Sequence, residues 1–247
     1  MAAAGDLLSR VHDRLAAEAV AGVTTMALDR IAEEMIRAGG AVPAFKGYPG
    51  PPGSIDFPGT ITSSLNEQVV HAIPGPQRLE EGDVISLDCG LHLGGWVADS
   101  ARTIAIGEVD DEKRRLIDAT HESLLAGIAA ARPGNCVGDI GNAVQTVVED
   151  AGFSVVRSLV GHGVGRDMHE PPQVPNFGAP GTGPGLEPGT VIAIEPMVNA
   201  GGADVVMAPD GWTVSAADGR PSAHFEHTVA VTADGPRVLT GSHRDPA

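Results

Sequence analysis

VISLDCGLHLGGWVADSARTIA (84–105) is the stretch on which the fold turns. Two apolar runs flank a Gly-Gly pair, and each run holds one aspartate, Asp88 in VISLDCG and Asp99 in VADSART. The pattern predicts a pair of antiparallel strands over 84–106 that turns near Leu93-Gly94. The aspartates are 11 residues apart. Such a hairpin brings them to neighbouring positions on adjacent strands, where cross-strand Cβ atoms lie ~4.5–5.5 Å apart. Two carboxylates that close repel strongly unless a cation lies between them.

Three further residues of the same chemistry lie downstream in strand-like segments: His162 in GHGVG (161–165), Glu195 in AIEPM (193–197) and Glu226 in HFEHT (224–228). Carboxylates are almost never buried unless paired or metal-bound. Four of them with one imidazole, each among apolar neighbours, make a donor set for two divalent cations and a bridging water. His227 follows Glu226, so on a strand its side chain points to the other face. The same alternation removes Cys89 from the set. His12, His92, His121 and His243 carry no motif and read as surface residues.

Outward from the hairpin, residues 5–20 and 24–38 read as amphipathic helices. The second has Thr24 or Thr25 as N-cap, apolar Met26, Ile31, Met35 and Ile36, and a Gly39-Gly40 stop. A Pro/Gly-rich loop fills 41–60 and a strand follows at 60–65. Helices are expected over 110–131, from the acidic turn Asp110-Asp111-Glu112, and over 137–151. Strands are expected at 153–160, 190–196, 204–207 and 224–232, with a Gly/Pro loop at 178–189. Each half of the chain runs helices and then antiparallel strands, and each half supplies two carboxylates. Ligands shared between the halves imply an α+β chain with one domain over 1–247.

With 42% hydrophobic residues the 247-residue chain has the composition of a globular protein. Its net charge of −16 and two lysines, Lys46 and Lys113, exclude a nucleic-acid or anionic-membrane surface. Two cysteines, Cys89 and Cys136, make neither a disulfide framework nor a thiolate metal site. MAAAGDLLSR lacks the basic start and apolar run of a signal peptide, which predicts a soluble, cytoplasmic protein.

In this order the motifs resemble the short bacterial (type I) methionine aminopeptidases of peptidase family M24. The resemblance runs from TTMALDRIAEEMIRAGG (24–40) through SLNEQVVHAIPG (64–75) to SAHFEHTVAVT (222–232). It implies the pita-bread fold, a pseudo-two-fold antiparallel sheet with helices on its outer face. It also implies two divalent ions (Co, Mn, Fe or Zn). Asp88 would chelate one ion, His162 and Glu195 the other, and Asp99 and Glu226 would bridge. The implied reaction releases N-terminal methionine from nascent polypeptides when the second residue is small, through a water bridging the ions. Glu195 would also relay a proton. His71 of VVHAIP would face the leaving nitrogen, and His169 of MHEPPQV would donate to the oxyanion. Phe45, Tyr48, Thr62, Met168 and Trp212 would line the substrate pocket. The sequence departs from the family pattern at Thr62, where cysteine is common, at Met168, where an aromatic is common, and in an insertion over Gly50–Gly59. The resemblance implies a monomer, and no basic patch for a ribosome is visible. The nearest alternative with the same ligands is a proline-specific peptidase of the prolidase kind. Those carry a large N-terminal domain, whereas about 60 residues precede the first strand here.

Overall fold

The computed structural model describes residues 1–50 and 53–241. Two helices lead, α1 (Ala2–Glu18) and α2 (Thr25–Ala38). Strands β1 (Val42–Pro43), β2 (Ile61–Leu65), β3 (Gln68–Val70), β4 (Val84–Leu93) and β5 (Trp96–Ala105) follow. A second helix pair comes next, α3 (Asp111–Ala130) and α4 (Val137–Asp150). Then come β6 (Ser154–Val155), β7 (Gly161–Gly163), β8 (Glu170–Val174), β9 (Val191–Ile194) and β10 (Met197–Asn199). The chain closes with β11 (Val205–Met207), β12 (Val214–Ala216), β13 (Ser222–His224), β14 (Glu226–Thr232) and β15 (Gly235–Val238).

Among the described residues, nine strands form one sheet in the order β1-β4-β5-β14-β9-β7-β8, with β2 on β4 and β15 on β14. Every pairing in it is antiparallel. Alternation along β4 separates its two faces. Ile85, Leu87, Cys89 and Leu91 are fully buried against Leu8, Val11 and Leu15 of α1 and Leu28 and Ile36 of α2. Asp88 and Gly90 point the other way, into the site. The second half repeats the arrangement, with Leu124 and Ile128 of α3 and Ile140 of α4 packed on Ile192, Ile194, Val229 and Val231. Each such buried aliphatic side chain contributes roughly 1.5–3 kcal/mol. This is the pita-bread architecture, helices outside and polar residues on the inner face.

The helix ends follow their sequence signals. Thr24 Oγ1 accepts from Ala27 N–H, Asp110 Oδ1 accepts from Lys113 N–H, and Gly40 after α2 has φ +75°. Several expectations need correction. Of the expected apolar set Ile36 is fully buried and Ile31 and Met35 pack half-buried against the core, but Met26 is exposed, and Leu28 and Ala32 complete the buried stripe. The 153–160 strand shrinks to β6. Strand β8 arises in the Pro-rich 170–174, and the 41–60 loop opens with β1. His12 is buried, its Nε2 2.8 Å from the Ser100 carbonyl oxygen. His92 and His121 are half-buried, and His243 lies outside the described residues.

The hairpin turns one residue later than expected. Leu93 pairs with Trp96, and Gly94 (φ 60°) and Gly95 (φ 76°) form the turn. Both central residues at positive φ is the condition glycine meets without cost. Asp99 therefore stands opposite Gly90, and Asp88 opposite Ala101. The two aspartates are diagonal neighbours on one face, a relation that spans ~7–8 Å between Cα atoms rather than the direct pairing expected.

Candidate metal centre

Sheet pairing carries the remaining candidates to these aspartates. Glu226 opens β14 opposite Ala101 of β5, and the next residue, His227, pairs with Ile194 of β9. Glu195 directly follows that strand, and His162 at the centre of β7 pairs with Ala193. The glycines of GHGVG have a steric reason. A Cβ on Gly161 would collide with the Ala193 carbonyl oxygen, and one on Gly163 with that of Pro171. Asn176 Nδ2 donates to the Glu195 carbonyl oxygen at 2.9 Å and fixes the backbone where β9 ends. Thr228 Oγ1 ties β14 to β5 through the Asp99 carbonyl oxygen at 2.8 Å.

His162 Nδ1–H donates to the Gly163 carbonyl oxygen at 2.8 Å, which leaves the Nε2 lone pair facing the carboxylates. That nitrogen is 3.5 Å from Glu195 Oε1 and 3.8 Å from Asp99 Oδ2. Ligand atoms of Asp99, His162 and Glu226 all lie within 4.8 Å of one another. Asp88 Oδ1, Asp99 Oδ1 and Glu226 Oε1 are buried without a hydrogen-bond partner among the described residues. Among the described residues no lysine or arginine lines the cavity there. Burial, then repulsion from the neighbouring carboxylates, pushes Asp88, Glu195 and Glu226 well above the usual carboxylate range. Burial raises Asp99 to about 7. Burial, then the nearby His169, lowers His162 to about 4, so its ring is neutral and able to ligate at neutral pH. Orphaned buried oxygens without a counter-charge, beside an imidazole lone pair, fit a divalent cation of the Mn, Fe, Co or Zn kind.

The cavity above this cluster is lined by all twelve residues expected at the site. Thr62 stands opposite Asp88 in the β2–β4 register. His71 is held at φ 61°, a conformation non-glycine residues rarely adopt, and burial followed by His169 lowers its pKa to about 4. His169 Nδ1 lies 2.8 Å from Tyr48 Oη, and its ring is 4.4 Å from that of His162. A Cβ on Gly90 would come within 2.7 Å of Met168 Cε, 2.9 Å of Phe45 Cε1 and 3.1 Å of Asp99 Oδ1. A methyl at that part of the cavity wall would have to push these side-chain ends aside.

A sequence model of metallopeptidase family M24 matches residues 1–233. The chain belongs to that family. It is 48% identical over 240 residues to methionine aminopeptidase 1 of Bacillus subtilis, covering 97% of this chain and 94% of that one. It is 46% identical over 247 residues to methionine aminopeptidase 1 of Mycobacterium tuberculosis, covering 97% and 91%. The crystal structure of methionine aminopeptidase from Rickettsia prowazekii superposes with a TM-score of 0.94 at 39% identity, over 98% of this chain and 95% of that one. The prolidase from Pyrococcus furiosus shares the fold, with a TM-score of 0.75 at 21% identity, and this chain spans 63% of it. Membership in M24 makes the chain a metallopeptidase that works with divalent metal.

Two residues at this family site escaped the sequence reading. Phe57 lies inside the insertion, whose Pro51 and Pro52 lie outside the described residues. It lines the cavity, exchanges backbone hydrogen bonds with Gly47 and Tyr48, and packs edge-on against Trp212 at 5.1 Å. Trp212 Nε1–H donates in turn to the Ile55 carbonyl oxygen. Ile55 and Phe57 thus tie the described part of the insertion to the cavity wall. The other is His224, two residues before Glu226, which burial and then His71 hold down to about 3. Period-2 alternation, the rule that excludes His227, places His224 on Glu226's face, so its signal was present.

Proposed function

We propose that this chain is a single catalytic domain over 1–247 that removes N-terminal methionine from nascent polypeptides whose second residue is small. The observation that carries the reading is one cavity with a buried, uncompensated carboxylate–imidazole cluster as its floor and an aromatic, thioether-compatible wall beside it. Asp88 would hold one divalent ion, His162 and Glu195 a second, and Asp99 and Glu226 would lie between them. When bound, such ions lower the pKa of water from 15.7 towards ~7 and polarise the scissile carbonyl.

The chain's own groups do the rest. Glu195 accepts the proton of the attacking water and passes it to the leaving amine. When the Tyr48 phenol donates to His169 Nδ1, the ring proton sits on Nε2 and can donate to the carbonyl oxygen as negative charge develops. His71 faces the leaving nitrogen. Phe45, Tyr48, Phe57, Met168 and Trp212 enclose an unbranched apolar side chain and leave a charged one desolvated without a partner. The protein acts as a cytoplasmic monomer; no described helix is long and apolar enough to cross a membrane.

The test is turnover of Met-Ala-Ser against Met-Lys-Ser and an Ala-Pro peptide. Methionine release from the first alone is expected. Equal turnover of the first two would contradict the small-residue requirement, and cleavage of the Ala-Pro peptide would favour the proline-specific alternative.

A further inference from the structure

One more imidazole is sealed into this site. His224 ends β13, where its backbone N–H donates to Thr103 Oγ1 at 2.9 Å and its carbonyl oxygen accepts from the same hydroxyl at 2.8 Å. Met197 of β10 pairs with it from the other side. The backbone is therefore fixed, and the ring is only 2% exposed. Neither ring nitrogen has a hydrogen-bond partner among the described residues. Leaving such a group unpaired costs roughly 1–3 kcal/mol, so a nearby acceptor is the natural place to look for its role. That acceptor is Glu195. Its Oε1 faces His162 Nε2 at 3.5 Å, and its Oε2 lies 3.7 Å from His224 Nε2. The carboxylate sits between two imidazoles, one on each oxygen. The second separation exceeds hydrogen-bond length by only ~0.5 Å, within reach of a small side-chain rotation.

We propose that His224 is a positioning residue for Glu195: its Nε2–H donates to Oε2 and turns Oε1 towards His162 and the metal position. Every protonation state of an imidazole carries at least one N–H, so the role needs no charge on His224. The inference rests on the metal-centre reading above. Groups that orient a ligand in this way typically change metal affinity 10–100-fold when removed.

The experiment measures Mn²⁺ affinity by equilibrium dialysis of the full chain after chelator treatment, with thermal melting to check folding. His224→Gln keeps an N–H donor of similar reach; His224→Met keeps bulk without one. Gln should stay near wild type, and Met should lose ~10–100-fold in affinity. In a Glu195→Gln background His224→Met should cost nothing further. Wild-type affinity in His224→Met, or equal loss in both variants, would overturn the assignment. If His224→Met does not fold, the zinc-loaded wild type decides by NMR. The His224 ring N–H proton, identified by its absence in His224→Gln, should shift in Glu195→Gln, and an unmoved signal would overturn the proposal. Wild-type protein that takes up no Mn²⁺ would overturn the metal-centre reading and this inference together, and is recognised without any variant.

Discussion

The two halves of the chain deliver their candidate ligands to one cavity by different means. Asp88 and Asp99 come from one hairpin of ten-residue strands, folded by a local Gly-Gly turn. His162, Glu195 and Glu226 come from short strand ends, aligned through β9 and held by ties such as Asn176 to the Glu195 carbonyl oxygen. Local sequence is enough to build the first half of the site. The second half depends on contacts made between distant elements, so its candidate ligands are the ones whose geometry substitutions elsewhere can disturb.

The largest effect expected is at the point where the halves meet. Glu226→Ala removes a carboxylate assigned to both ions and leaves the others repelling one another. Metal content should fall and methionine release should drop below detection. His71→Ala removes a hydrogen bond or proton relay, so a loss of ~10²–10⁴-fold is expected with metal content intact. Native metal content and turnover in Glu226→Ala would remove the distinction between the two.

A difference in pH dependence sharpens the comparison. In the metal-free protein the buried carboxylates have raised pKa values, Asp99 to about 7 and the others well above their usual range. A raised folded-state pKa means the folded chain binds more protons, so stability is lost as pH rises through that value. His71, His162 and His224 are lowered to about 4, about 4 and about 3, so they act in the opposite sense below their ordinary value near 6.5. The two sets oppose each other between about pH 4 and 6.5, and above that only the carboxylates still titrate. Melting curves of chelator-treated protein should therefore show stability falling as pH rises through 7, and saturating Mn²⁺ should remove the fall. A rise through 7 without metal would contradict the buried charge cluster.

How much the sequence revealed follows the same division. Period 2 and a Gly-Gly pair are local signals, so β4 and β5 were legible, and only the turn position slipped by one residue. GHGVG and SAHFEHT pointed to His162 and Glu226, which line the cavity, but nothing local foretold β8 or the shortness of β6, since both depend on partners distant in sequence. Phe57 has no periodicity to expose it, being an aromatic in an irregular loop. His12 did have a signal, because with Leu8 and Leu15 it falls at helical spacing on the buried stripe of α1.

Smaller perturbations probe each half alone. Gly90→Ala places a methyl against Met168, Phe45 and Asp99 in the first half. A destabilisation of ~1–3 kcal/mol and a raised KM for methionyl peptides are expected, with Mn²⁺ affinity less affected. Asn176→Ala removes one neutral hydrogen bond in the second half, worth ~0.5–1.5 kcal/mol, and should lower Tm by a few degrees. Turnover should then change only modestly. A larger loss of Mn²⁺ affinity in Gly90→Ala than in Asn176→Ala would reverse the assigned division.

The central claim is that this cavity is a metal centre for methionine release. Its most direct test is turnover of Met-Ala-Ser by chelator-treated protein, with metal removal verified by elemental analysis, as Mn²⁺ or Co²⁺ is titrated back. The expected result is no release without metal and recovery in step with metal bound. Full turnover by verified metal-free protein would contradict it.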